Sequence, residues 1–119
     1  MAKVLGIGGI FFRSKDPSAL AEWYHKHLGI DPAPTSATMM PWATEAGVTV
    51  FSPFPKDTDY FPQSQMFMLN FRVENLESAL QELSVAGIKS DDIVSMEAVG
   101  RFARIHDPEG NPIELWEPA

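Results

Sequence analysis

The sequence predicts an α+β domain made of two copies of a strand–helix–strands unit, and three observations carry that prediction. Apolar residues run first in a β-rich stretch and then at helical spacing, and this order occurs twice along the chain. Short pieces also recur at a near-constant offset. Phe12-Arg13 returns as Phe71-Arg72 after 59 positions, Ser18-Ala19-Leu20 as Ser78-Ala79-Leu80 after 60, and Gly29-Ile30 as Gly87-Ile88 after 58. The third observation is a hairpin signature near the C-terminus, where two apolar runs flank Asp107-Pro108-Glu109-Gly110-Asn111. A unit of roughly 60 residues is too small to close its own core. The two copies are therefore expected to pair, within the chain or with a second chain. The reading is a single domain over residues 1–119, with a first module over 1–54, a loop over 53–65 and a second module over 66–119.

Taken in order, Val4 to Phe12 is a continuous β-rich run whose glycines allow another backbone or a ligand to approach closely. Gly6, Gly8 and Gly9 do not make a dinucleotide loop, because the third glycine of that fingerprint would fall on Phe11. Asp16 followed by Pro17 is an N-cap with proline in the first helical turn. Leu20, Trp23, Tyr24, His27 and Leu28 then repeat on one helical face, and Gly29 stops the helix. Pro32, Pro34 and Pro41 break the next segment, leaving Ala37 to Met40 and Val48 to Ser52 as short strands. The stretch Pro53 to Gln65 has no periodicity and ends in bulky rings, so it is either a linker between halves or a flap over a pocket. Met66 to Val73 begins the second copy, and Glu74 to Ala86 is its helix, with Leu76, Leu80, Leu83 and Val85 inward and Gly87 as the stop. On the returning strand of the hairpin, Glu114 alternates with Ile113 and Leu115. It either looks into a concavity of the sheet or stands exposed on an edge strand.

Composition narrows the function. The net charge is −7 and the basic residues are scattered, which argues against nucleic acid or an anionic membrane surface as a partner. With no cysteine, any metal ligands must be His, Asp or Glu. The run Val4 to Phe12 is too short to span a bilayer and lacks a cleavage site, so a cytoplasmic protein is expected.

The ordered set Asp16, Leu20, Trp23, Tyr24, Leu28-Gly29, then Asn70-Phe71-Arg72-Val73, Leu80, Leu83, Gly87 and Asp107 through Trp116, resembles the vicinal oxygen chelate superfamily. That group contains the glyoxalases, the bleomycin- and fosfomycin-resistance proteins and the extradiol dioxygenases. The resemblance covers essentially the whole chain. It implies two paired βαβββ modules forming a curled eight-stranded mixed sheet around a cavity, usually in a homodimer. In metal-dependent members a divalent ion is held by up to four side chains from the first and last strand of each module. Glu114 matches one of those positions, and the other three fall on Gly9, Val50 and Met68, which offer no usual side-chain ligand. The expectation is therefore no bound cofactor, with a metal site only if a partner chain completes it. His25 and His27 lie about 200° apart around the helix axis and cannot grip one ion together. His106 abuts the hairpin loop and suits a turn-capping role.

In place of a metal centre, the pattern suggests a small-molecule pocket. If the hairpin pairs symmetrically about its loop, Arg104 lies opposite Glu114 on one face. The expected ligand-binding residues are Phe11, Met68, Asn70, Arg72 and Trp116, with Tyr60 or Phe61 as a lid. Phe11, Met68 and Trp116 also have a plain reading as core. Two functions follow. One is a resistance-type protein that binds a small organic ligand without chemistry. The other is an enzyme of the superfamily, a lyase, isomerase or dioxygenase, with Glu114 as base and Arg104 stabilising developing negative charge.

Overall fold

The computed structural model describes residues 2–119. Six elements follow in order: α1 (Pro17–Leu28), β1 (Leu69–Arg72), α2 (Leu76–Val85), β2 (Val94–Met96), β3 (Gly100–His106) and β4 (Pro112–Pro118). The helix ends are set locally. Asp16 caps α1 by accepting the Ala19 amide at 3.2 Å, and Gly29 ends it at φ 69°. Asn75 caps α2 in the same way, accepting the Ser78 amide at 2.9 Å.

The four strands form one mixed sheet in the order β1-β4-β3-β2. β1 lies parallel to β4, while β3 is antiparallel to both β4 and β2. The second half of the chain is thus one βαβββ unit. Its register sorts the side chains cleanly between two faces. Ala103 opposes Leu115 and Ile105 opposes Ile113, and these four pack with Leu20 and Tyr24 of α1 and Leu76 and Leu83 of α2 as the buried core. Both helices therefore cover one face of the sheet. The other face carries Asn70, Arg72, Phe102, Arg104, Glu114 and Trp116.

The eight-stranded curled sheet that the resemblance implies is not seen among the described residues. The described residues give four strands in a sheet that does not close, all from the second half. The runs at Val4 to Phe12, 37–40 and 48–52, expected as strands, are not in any strand. A helix satisfies its backbone within itself, whereas a strand needs a neighbour for its amides and carbonyls. Those three runs find none within the described residues. Val4, Leu5, Phe11, Val50 and Phe51 are accordingly exposed.

The first half is nevertheless fastened to the second through the hairpin loop. Asp107, only 5% exposed, accepts the Tyr24 hydroxyl at 2.7 Å, the Asn111 side-chain amide at 2.8 Å, and the backbone amides of Glu109 and Asn111 at 2.9 and 3.0 Å. Glu109 in turn accepts the Ser14 hydroxyl at 2.7 Å and the amides of Lys15 and Asp16. The amide of Lys15, followed by the Ser14 hydroxyl, holds the Glu109 carboxyl below its ordinary range. Turn residues that read as local chemistry in the sequence thus also join the two halves.

Candidate functional site

On the sheet face opposite the core, the register lines up Asn70 of β1, Glu114 of β4 and Arg104 of β3 in one row. Strand alternation puts Ile113 and Leu115 into the core, so Glu114 must point the other way. It is 8% exposed, and both of its oxygens are engaged. Asn70 Nδ2 donates to Oε1 at 2.7 Å, and the Tyr60 hydroxyl donates to Oε2 in a short hydrogen bond. A carboxylate this far from water needs such donors, because an unpaired one would carry a heavy desolvation cost.

Tyr60 reaches Glu114 because the 53–65 loop folds on itself. The Thr58 amide donates to the Pro55 carbonyl at 3.0 Å, the Tyr60 amide to Thr58 Oγ1 at 3.2 Å, and Gln63 Nε2 to the Thr58 carbonyl at 2.8 Å. This turn brings Phe54 back onto Tyr60, with ring centroids 5.5 Å apart and planes 21° from parallel. Phe61 meets Phe54 edge-on at 5.6 Å. From the sheet side, the Arg104 guanidinium lies 5.3 Å from the Tyr60 ring centroid and donates to the Tyr60 carbonyl at 2.7 Å. Burial, followed by the hydrogen bond to Glu114, pushes the Tyr60 phenol up to about 12. The phenol is therefore a proton donor to Glu114 at neutral pH.

The predicted site residues divide on inspection. Asn70, Tyr60, Arg104 and Glu114 come together. Arg104 faces Glu114 across the strands as the hairpin symmetry requires, but the two make no ion pair, because the guanidinium is spent on the Tyr60 carbonyl and ring. Phe61 belongs to the aromatic lid through its edge-on contact with Phe54. Trp116 is buried and stacks on Phe102 with planes 7° apart at 6.1 Å, its indole N–H donating to the Val99 carbonyl at 3.0 Å. It is wall rather than probe. Arg72 sits on the same face, and its guanidinium donates to the Glu45 carbonyl at 2.9 Å and lies against Gly47, where a Cβ would collide with it. Met68 is half-buried just ahead of β1.

Phe11 is 94% exposed, with its ring turned over Gly9 and away from the partners of the Glu114 cluster. The strand that should have aimed it inward has no partner, so alternation has no face to act on. Phe54 is the residue that the sequence reading left out of the pocket. Its signal was the flanking pair Pro53 and Pro55 ahead of the turn residues Asp57-Thr58-Asp59, a pattern that folds a chain back.

Glu114 has a hydrogen-bond donor on each oxygen, and among the described residues no group of three or more His, Cys, Asp or Glu stands together as a metal site. Gly9 and Val50, two of the positions aligned with metal ligands, lie on the exposed first-half runs. No helix among the described residues is long and apolar enough to cross a membrane.

Residues 9–116 match the family model described as Glyoxalase-like domain. No curated protein matches the chain. Among solved structures, the antibiotic binding protein TnmS3 from Streptomyces sp. CB03234 is 21% identical, with 88% of each chain covered and a TM-score of 0.60. A member of the glyoxalase/bleomycin resistance protein/dioxygenase superfamily from Sphaerobacter thermophilus is 16% identical, covering 87% of this chain and 90% of the other, with a TM-score of 0.57. At these identities the likeness is one of fold.

Proposed function

Because the chain belongs to the glyoxalase-like domain family, we propose that it is a small-molecule-binding protein whose ligand sits on the Glu114 face of the sheet, under the 53–65 loop, without a resident metal. The observation that carries this reading is Glu114 itself. It is a nearly buried acid on the face away from the core, held by Asn70 and roofed by the Phe54–Tyr60–Phe61 cluster. A polar anchor amid rings is the usual make-up of a small-ligand site. A protein of the same fold is named for binding an antibiotic, a use of the fold that needs no turnover. In the enzyme reading Glu114 would take a substrate proton, and here the Tyr60 hydroxyl already occupies the oxygen that would do so.

The test is a thermal-shift panel of phenols, aromatic carboxylates and oxo-acids, followed by calorimetry on Glu114→Gln. A ligand bound only by the folded state raises the melting temperature. Replacing the charged acceptor by a neutral one should weaken the best compound about tenfold, since charge-assisted hydrogen bonds are roughly twice as strong as neutral ones. Glu82→Gln, on the outer side of α2, should leave its affinity unchanged. Compounds that bind Glu114→Gln as tightly as the parent protein would place the ligand elsewhere.

The eight-stranded arrangement belongs to the same proposal, at the level of a homodimer. Val4, Leu5, Phe11, Val50 and Phe51 leave a quantity of apolar surface uncovered that a lone soluble domain seldom carries. Two copies would bring two four-stranded sheets together and give those runs a strand partner. Light scattering on the purified protein should return twice the 13.2 kDa of one chain. A mass of one chain at micromolar concentration would refute the dimer.

A further inference from the structure

Tyr60 makes an unusual set of contacts for a loop residue. Its ring stacks on the Phe54 ring at 5.5 Å and lies 5.3 Å from the Arg104 guanidinium. Its hydroxyl donates to a nearly buried carboxylate, and that carboxylate is braced on its other oxygen by Asn70 at 2.7 Å. A stacked ring, a guanidinium close to the ring and a charge-assisted acceptor at the tip together form a recognition site for a phenol. Yet Tyr60, which fills it, is 43% exposed and comes from a stretch with no helix or strand. The group filling the slot can be withdrawn. The slot's polar floor would persist if the Tyr60 side chain swung out while the loop backbone stayed, because Glu114 and Asn70 are on strands and Arg104 is held by the Tyr60 backbone carbonyl.

We propose that Tyr60 is an internal occupant of the ligand slot, a self-blocking contact, and that the molecule which displaces it is a planar aromatic bearing a free hydroxyl. This rests on the reading of the Glu114 face as the ligand site and deepens it by naming the ligand class. The ligand's ring takes the place of the Tyr60 ring against Arg104, and its hydroxyl takes over the hydrogen bond to Glu114 Oε2. An aromatic without a donor would leave that oxygen desolvated and unpaired, which is how a buried polar group rejects an analogue that lacks its partner. Closure by Tyr60 also lowers apparent affinity, because only the open fraction of the protein can bind.

The probes are 2-naphthol and 2-methoxynaphthalene, which share a ring system but differ in the hydrogen-bond donor. Their dissociation constants are measured by calorimetry on the full chain, Tyr60→Ala and Tyr60→Phe. Tyr60→Ala should bind 2-naphthol about tenfold more tightly than the parent, corresponding to a slot open about a tenth of the time before the change. Tyr60→Phe keeps the ring and loses only the hydroxyl. It should fall between the two and melt within a few degrees of the parent, so a folding defect in the alanine variant cannot imitate the result. In Tyr60→Ala, 2-naphthol should be preferred over 2-methoxynaphthalene by about tenfold, the usual worth of one charge-assisted donor. Weaker or unchanged naphthol binding in Tyr60→Ala would make Tyr60 a clamp on the ligand and overturn the inference. Equal binding of the two probes would overturn the hydroxyl requirement while leaving a ligand site at Glu114 in place. Failure of every panel compound to respond to Glu114→Gln would remove the parent reading as well.

Discussion

Asp107→Ala is expected to cost about 2–4 kcal/mol of folding stability, because each donor left unsatisfied away from water costs about 1–3 kcal/mol. Four donors lose their acceptor at once: the Tyr24 hydroxyl, the Asn111 side-chain amide, and the backbone amides of Glu109 and Asn111. Tyr24 lies in the core and has no route to bulk water, so its share is close to the full penalty. The loop amides are nearer the surface, where water can replace the carboxylate, and this keeps the total below the sum of four. Burial, followed by the Asp107 hydrogen bond, raises the Tyr24 phenol above its ordinary range, so the ring reports on the same contact. Urea unfolding measures the loss. Asp107→Asn, which retains one acceptor oxygen, should lose roughly half as much. A double-mutant cycle with Tyr24→Phe should give a coupling of about 1 kcal/mol or more. A loss under about 0.5 kcal/mol for Asp107→Ala would mean that the hairpin loop is solvated and does not hold α1 to the sheet.

Gly100→Ala should be comparably severe, for a steric reason. Gly100 opens β3 at φ 132°, a region that residues with a Cβ rarely enter, and backbone strain of this kind costs on the order of 1–3 kcal/mol. An added Cβ would also run into the Glu117 carbonyl oxygen on β4 and come 2.8 Å from the Trp116 indole nitrogen. The carbonyl belongs to the paired strand and cannot swing away as a side-chain tip could. Overpacking adds about 1–3 kcal/mol, for a total of about 2–6 kcal/mol. The disturbance falls on Trp116, whose N–H bonds the Val99 carbonyl at 3.0 Å, so the tryptophan emission should shift along with the fall in stability. A Gly100→Ala protein that unfolds at the parent's denaturant midpoint would show that the start of β3 relaxes freely.

Both sites show how far residue chemistry alone carries. Asp107 was legible as a turn residue from its neighbours Pro108, Gly110 and Asn111, and the five-residue loop forms between His106 and Pro112 as that reading requires. Its hydrogen bond to Tyr24, 83 positions away, was not, since nothing local in either residue names the other. The strand Val94–Met96 also left no periodicity strong enough to read. It is three residues long, and its turn holds Ala98 at φ 66° where a glycine would have been the signal.

The sequence by itself determined the family, the two helices, the caps of α1, the C-terminal hairpin and the facing of Arg104 and Glu114. Each of these depends on contacts within a few residues or on strict alternation from a fixed turn. Only the tertiary structure decided that Tyr60 rather than Phe61 reaches the acid, that Arg104 serves the Tyr60 carbonyl and ring rather than Glu114, and that the first-half runs have no strand partner among the described residues. Those outcomes turn on where a long loop folds and on which distant backbone is available to pair. Helices carry their partners with them, but strands and loop side chains acquire theirs only when the rest of the chain arrives.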